Sequence, residues 1–361
     1  MAPSRASPLA TVANAAAHPG SSVPAVTSAL DFLALVQEVL DPLIPHGSRV
    51  ALFDFPNHPN VGDSAIWLGE EVYLAKRTDL RTIVVDDRSI HNRRLPHLPS
   101  SAVVLIHGGG NLGDLWPPHQ ALREMLIGHY RENRVIQLPQ SIYFQDAANE
   151  DRCRDVFSAH RDFHLIVRDH VSLEHGRRLH AGPTYLCPDM AFFLGQLPRT
   201  SEPLHNIVAL LRTDKERING KASGEHMRDV FIVDWLEESY CLAQRITQKV
   251  ERLQARYPRH LAALYGIKRH LYHRLASERL KRGCEILGSG RVVITDRLHA
   301  HILCTLMGIP HVLLDNSYQK IGNFRDAWHS GAGLCEPATC WTEAQIKAQD
   351  LLHASGASRT S

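Results

Sequence analysis

The 361-residue chain lacks the marks of several protein classes. Its seven cysteines (Cys153, Cys187, Cys241, Cys284, Cys304, Cys335 and Cys340) are odd in number, scattered and never spaced C-x-x-C. That pattern argues against a disulfide framework or a thiolate zinc site and points to a reducing cytoplasm. No apolar run approaches the roughly 18 residues that span a bilayer, so no membrane-crossing helix is expected. The Ala/Ser/Pro-rich stretch 1–27 has no continuous apolar segment of the signal-peptide kind and reads as a disordered leader. Charge of one sign is missing as well: 40 Lys and Arg face 38 Asp and Glu, a net +2. No overall field therefore selects nucleic acid or an acidic membrane, and only local basic sites remain open.

What is present is the material of a large folded core, with 44% hydrophobic and 22% charged residues. At roughly 100–200 residues per domain, two domains are the natural expectation. Order is expected to begin at Ser28, where Ser28-x-x-Asp31 can cap a helix carrying Leu30, Leu33, Val36 and Leu40 on one face. Short apolar runs at 50–55, 82–85, 102–107, 135–138, 164–167 and 184–187 read as strands separated by helical segments, the signature of a mostly parallel α/β sheet. The stretch 196–203, with Pro198, Thr200, Ser201 and Pro203, breaks the pattern and reads as a linker. A second series follows, with strands at 207–211, 230–233, 292–295 and 311–314. The expected organisation is a leader (1–27), an N-terminal domain (28–195), a linker (196–203), a C-terminal domain (204–335), and a C-terminal helix and tail (336–361). Within the helical region 237–282, the segment 256–274 is rich in Arg, His and Tyr; a solvated helix face is the expectation there, with a basic amphipathic surface the sharper alternative. Histidine, at 23, is the compositional outlier, and surface placement is expected for most of them.

Ligands of open α/β sheets bind beyond the carboxyl ends of strands, so the residues after each run carry the functional information. After the first run, the loop Pro56–Asn60 leads into a helix; its amides could hold an anion, but an ordinary capped turn with Asp63 at the N-cap is favoured on spacing. After the third comes His107-Gly108-Gly109-Gly110-Asn111-Leu112-Gly113-Asp114, followed by Trp116 and His119. Glycines there open backbone conformations closed to other residues and allow close approach of a ligand, the alternative being a tight turn without one. The loop supports neither a dinucleotide fold nor a Walker site, and no metal-ligand spacing is present. Later runs end in Leu138-Pro139-Gln140-Ser141, Arg168-Asp169, Cys187-Pro188-Asp189 and Asp296-Arg297-Leu298-His299. For the last, either Asp296 caps the following helix and Arg297 and His299 face solvent, or the guanidinium and helix amides converge on an anion; the second is favoured beside so apolar a helix.

These words, in this order, resemble the polysaccharide pyruvyl transferase family: Asn60-Val61-Gly62-Asp63-Ser64-Ala65-Ile66, the glycine-rich word, Leu138-Pro139-Gln140-Ser141, Arg168-Asp169, Pro188-Asp189-Met190-Ala191, and Thr295-Asp296-Arg297-Leu298-His299 with Asp315-Asn316 and Lys320. The resemblance implies two Rossmann-like domains facing across a cleft, as in GT-B glycosyltransferases. It implies phosphoenolpyruvate as donor, a sugar of an exopolysaccharide repeat unit as acceptor, and attachment of pyruvate as a cyclic ketal. It places His119, Arg168, Arg297, Leu298 and His299, with Gly109, Gly110 and Asn111, at the donor, and His299, Arg297 and Arg168 in catalysis. Asn60, Asp63, Asp114, Gln140, Ser141, Asp189, Asn316 and Lys320 are the candidates for the cleft or the acceptor.

A donor bearing a phosphate and a carboxylate on so small a frame needs fixed cations, which arginine supplies as a planar fork. His299 is the expected general acid or base, because an imidazole titrates near neutrality. Ketal formation demands no metal or redox cofactor, and none is expected. A cytoplasmic enzyme meeting a lipid-linked acceptor at the inner membrane face is the implied setting. The competing readings are a GT-B glycosyltransferase with a nucleotide-sugar donor and a non-catalytic binding or scaffold protein of the same fold.

Overall fold

In the computed structural model the described residues are 29–357, apart from 89, 91–94, 201, 214–229, 239–241, 258–263, 316–319 and 329–332. The apolar runs form strands because they can be buried on both faces, which parallel sheets require. The first sheet contains β1 (Arg49–Phe55), β2 (Arg81–Asp87), β3 (Val103–Ile106), β4 (Gly109–Gly113), β5 (Arg134–Tyr143), β6 (Phe163–Val167) and β7 (Thr184–Leu186). Its order is β2-β1-β3-β5-β6-β7, with β4 also on β5. The second contains β8 (His205–Leu210), β9 (Val230–Val233), β10 (Gly290–Thr295), β11 (His311–Leu314) and β12 (Cys335–Ala338), in the order β12-β11-β10-β8-β9. Every strand pair is parallel. The α/β expectation therefore holds, with two parallel sheets.

Two strands depart from the sequence reading. The glycine-rich word is not a turn: β4 runs along the extended end of β5, with Gly109 opposite Gln140 and Gly113 opposite Tyr143. Gly109 (φ 126°) and Gly113 (φ 124°) hold its two ends in backbone conformations that side chains resist. Gly108, Gly110 and Gly113 do fall at G-x-G-x-x-G spacing, but the third glycine ends a strand instead of opening a helix, so this is no dinucleotide fingerprint. β12 was also unforeseen, because Cys-Glu-Pro-Ala has no apolar alternation to announce it.

The helices that matter here are α1 (Ala29–Leu40), α2 (Val61–Lys76), α3 (Pro117–His129), α4 (Ala147–Ser158), α5 (His170–Leu179), α6 (Leu242–Arg256), α7 (Leu264–Gly288), α8 (Leu298–Met307), α9 (Lys320–Trp328) and α10 (Trp341–Ala357). Two caps correct the sequence reading. Asn60, not Asp63, caps α2, its Oδ1 accepting from the Gly62 N–H at 3.2 Å, and this leaves Asp63 in the first turn to face outward. Asp296 does not cap α8 either; its Oδ1 accepts the Arg212 N–H at 2.8 Å across the sheet, and Arg297 occupies the cap position without a capping side chain. Ser28 lies outside the described residues.

The larger apolar cluster is continuous from Phe32 in α1 to Trp328 in α9 and includes residues of both sheets; a smaller one lies under α10. Part of the continuity comes from α7, which belongs to the second half of the chain yet packs on α2 and β2, with Tyr272 stacked on Phe55 at 3.9 Å. In the 196–203 segment, the Leu197 N–H donates to Leu306 O and Arg199 donates to Gly288 O. The 256–274 segment is not uniformly a solvated face: Lys268 and Tyr272 are fully buried, with Lys268 on Asp86 and Arg269 on Glu71. Of the histidines, His107, His119, His160, His164, His180, His301 and His311 are buried, while the larger part of those described are exposed or half-buried. Among the described residues, no helix is long and apolar enough to cross a membrane.

Candidate active site

A cavity of about 460 Å³ opens where the carboxyl ends of strands from both sheets converge, a size suited to a small polar ligand. Its lining includes Arg168 after β6, Arg212 after β8, Trp235 and Leu236 after β9, and Arg297, Leu298 and His299 after β10. The opposite part is made by His58, Pro59, Asn60 and Asp63 at the start of α2, Arg88 after β2, Gly110 and Asn111 in β4, and Trp116 and His119 at the start of α3.

Arg168 is 2% exposed and held rigidly. Its Nε donates to Ser141 Oγ (2.9 Å) and its Nη1 to Asp189 Oδ2 (2.6 Å). Ser141 in turn donates to Asp169, which caps α5 through the Ser172 N–H. Asp189 is fully buried, and its second oxygen accepts the Ala191 N–H. Burial works against ionising Asp189, but His299 and Arg168 outweigh it and hold the carboxyl well below the usual range. The His299 Nε2 sits 3.4 Å from Asp189 Oδ2, so one carboxylate links the Arg168 guanidinium to the His299 ring. The glycine of the Asn60–Ile66 word explains how that ring reaches the cavity: a Cβ on Gly62 would fall 2.5 Å from His299 Nδ1.

Arg297, also 2% exposed, donates through Nη2 to both oxygens of Asp234 (2.7 and 2.8 Å) and lies over the Trp235 ring at 5.6 Å. Each guanidinium is thus paired with a carboxylate, which lowers the cost of burying it and fixes its direction before a ligand arrives.

His119 is clamped from both sides. Its Nε2 lies 2.9 Å from Arg88 Nη1 and its Nδ1 3.0 Å from Asp54 Oδ2. A guanidinium can only donate, so Nε2 accepts and the ring proton sits on Nδ1, directed at Asp54. Asp54 is buried and has φ 72°, the positive-φ non-glycine residue among those described. Nearby, His58 Nε2 approaches Asp63 Oδ2 at 3.5 Å, and Asn60 donates to the same oxygen at 2.8 Å. Burial lowers the His58 pKa against the pull of Asp63; the Asp63 carboxyl is lowered despite burial, chiefly by His58 and then by His299.

Of the residues singled out in the sequence, His119, Arg168, Arg297, Leu298, His299, Gly110, Asn111, Asn60 and Asp63 line this one cavity. Gly109, Gln140, Ser141, Asp189 and Asp114 do not. Gln140 is fully buried and braces β4, accepting from the Asn111 N–H and donating to Asn111 Oδ1 and His107 O. Ser141 and Asp189 position Arg168 from behind. Asp114 spends its carboxylate on the Gln145 and Asp146 N–H groups at the start of α4. Asn316 lies outside the described residues, and Lys320 opens α9. The sequence reading missed Asp54, His58, Arg88, Arg212, Asp234 and Trp235. The strand-end rule, applied also to the second, seventh and eighth expected strands, points to Arg88, Arg212 and Asp234-Trp235; nothing local announces Asp54.

Residues 60–318 match the polysaccharide pyruvyl transferase family. The chain is 33% identical over 309 residues to pyruvyl transferase 1 of Schizosaccharomyces pombe, covering 79% of this chain and 71% of that protein. A crystal structure of an uncharacterized Klebsiella pneumoniae protein, 19% identical, superposes with a TM-score of 0.54 over 83% of this chain and 94% of that one, a likeness of fold. The matched span contains almost every lining residue of the cavity, and the chain belongs to the polysaccharide pyruvyl transferase family.

Proposed function

We propose that the cavity binds phosphoenolpyruvate and that the enzyme, a transferase by family, moves its pyruvyl group onto a sugar of an exopolysaccharide repeat unit as a cyclic ketal. The observation that carries the reading is the pair of buried, pre-oriented guanidiniums, Arg168 and Arg297, brought to one small cavity from the two sheets with His299 beside both. Two fixed cations match the phosphate and carboxylate of the donor. On this reading the two sheets act as Rossmann-like halves, GT-B fashion, and the cavity is their cleft.

The chemistry assigned to these residues balances as follows. His299, protonated, gives its proton to the methylene carbon of the enol while a sugar hydroxyl oxygen bonds to the adjacent carbon, its own proton passing to a phosphate oxygen. The carbon–oxygen bond to phosphate then breaks, phosphate leaves against Arg168 and Arg297, and a second sugar hydroxyl closes the ketal, its proton restoring the acid. Asp189 faces the His299 Nε2 at 3.4 Å and keeps the ring oriented. His119, its Nδ1 proton directed at Asp54, serves through Nε2 as a fixed acceptor at the cavity wall.

The acceptor end rests on a separate feature. Ile246, Leu253 and Tyr257 are exposed along α6 and its end, among exposed Arg245, Lys249, Arg252 and Arg256. Mixed apolar and basic side chains on one helix suit the surface of an anionic membrane, where a lipid-linked acceptor would be met in the cytoplasm. Incubation with phosphoenolpyruvate and a panel of sugar acceptors, following phosphate and the mass gain of a pyruvate ketal, tests the reading. Phosphate release lost in folded His299→Ala supports it. Thermal stabilisation by a nucleotide-sugar and not by phosphoenolpyruvate would replace it with the glycosyltransferase reading.

A further inference from the structure

The cavity uses the carboxyl ends of the strands; a second cluster of chemically active side chains lies at their opposite ends in the second sheet. His311 opens β11 and Cys335 opens β12, and the two are register partners on neighbouring parallel strands. Register partners leave the same face of a sheet, so imidazole and thiol stand side by side. α8, packed on β11, brings His301 to them. One potential ligand atom from each of the three lies within 4.8 Å of the others, with both histidines fully buried and Cys335 partly so.

Hydrogen bonding sets His311 in a ligand-like state. His311 Nδ1 lies 2.8 Å from Ile309 O. A carbonyl only accepts, so Nδ1 carries the ring proton and Nε2 presents its lone pair to the cluster, 2.7 Å from His301 Nδ1. A backbone carbonyl that fixes the tautomer from behind is the usual second partner of a metal-ligating histidine. Two imidazole nitrogens with a thiol form a donor set matched to zinc, and Cys335, at the partly exposed edge, supplies a way in. In the sequence the three are separated by 9 and 23 residues, a spacing that resembles no local metal motif.

We propose that His301, His311 and Cys335 form a zinc-type divalent metal site, completed by one non-protein ligand, that ties α8 to β11 and β12. Tetrahedral nitrogens around zinc sit about 3.3 Å apart for bonds of about 2.0–2.1 Å, so the two ring nitrogens, 2.7 Å apart, separate by about 0.6 Å to admit the ion. The His301 proton on Nδ1 passes to its other nitrogen, and the Cys335 thiol proton leaves to solvent, one proton released per ion bound. The site would be structural. α8 carries Arg297 at its cap and His299 in its first turn, so an ion on its far side would hold the helix that presents both to the cavity. The inference does not depend on the donor or acceptor of the reaction.

The test uses the full chain, stripped of metal with a chelator, titrated with zinc by calorimetry and with cobalt(II) by absorption. The expected result is one ion per chain, a thiolate-to-cobalt charge-transfer band and a higher melting temperature with zinc. Cys335→Ser should remove the band and weaken zinc at least about 100-fold, while Cys340→Ser, an exposed cysteine outside the cluster, should leave both as in the wild type. Because His301→Ala leaves a hole in a packed core, the conservative serine variant carries the comparison, with circular dichroism verifying its fold. Absence of stoichiometric binding to the wild-type chain, or a cobalt band that persists in folded Cys335→Ser, would overturn the site.

Discussion

Both carboxylate oxygens of Asp54 lie within reach of His119 Nδ1, at 3.1 and 3.0 Å, and Asp54 makes this contact from a left-handed backbone conformation at φ 72°. A non-glycine residue there costs about 1–2 kcal/mol, which only the surrounding structure can offset. The strain sits at the end of β1, where the register with β2 shifts, and it turns the carboxylate toward α3. Asp54→Asn tolerates the same backbone and keeps the volume but loses the charge. Turnover with phosphoenolpyruvate is expected to fall at least about tenfold with little change in melting temperature. Asp54→Ala, strained and without a partner for the ring, should also lose about 1–3 kcal/mol of stability. Wild-type turnover in Asp54→Asn would show that the carboxylate does not govern His119.

Gly62 tests how closely α2 must approach α8. An added methyl group would lie 2.5–2.8 Å from three atoms of His299, so Gly62→Ala must displace the ring. The expected outcome is a loss of turnover approaching that of His299→Ala, while donor affinity, carried by the arginines, changes by less than about tenfold. Calorimetric binding of phosphoenolpyruvate beside a turnover assay separates the two quantities; equal losses in both would contradict the assignment.

The two arginines should not behave alike in stability. Arg168→Ala and Arg297→Ala are each expected to weaken phosphoenolpyruvate binding by about 1.5–3 kcal/mol, roughly 10- to 150-fold. Arg168→Ala also removes a partner from fully buried Asp189 and should destabilise the fold by about 3–5 kcal/mol, more than Arg297→Ala, whose partner Asp234 is partly exposed. Denaturant titration of both variants provides the comparison, and equal stability would refute the inequality.

Glu251 gives the fold a pH dependence. Burial, then the neighbouring Asp87 carboxylate, raises its pKa from 4.5 to about 8. A raised folded-state pKa means that the native state binds the proton more tightly, so this stabilisation is complete below about pH 4.5 and disappears as pH rises through about 8. Glu251→Gln lacks that proton. Relative to the variant, the wild type should lose stability between about pH 4.5 and pH 8, measured as the midpoint of urea unfolding. A constant difference across that range would place the Glu251 titration elsewhere.

Much of the scaffold was legible because parallel strands buried on both faces read as short apolar runs, and the residues after them are where such sheets bind ligands. Arg168, Arg297 and His299 came from that rule together with the order of the words. β4 was not legible, since a glycine-rich segment is extended only because β5 offers a ladder beside it. Asp54 was hidden for a related reason: it sits within the apolar run of β1, and nothing marks it until His119, 65 positions away, is folded against it.

By itself, then, the sequence determined most of the segments that become strands and helices and which family the chain belongs to, because these depend on patterns within a few residues and on the order of short words. Tertiary structure alone decided the partners: which carboxylate holds which guanidinium, which imidazole carries its proton on Nδ1, and that His301, His311 and Cys335 meet. Those choices follow from strand order, register and helix packing, which bring together side chains far apart in the chain, and the energies that fix them arise only once water is excluded around the assembled pairs.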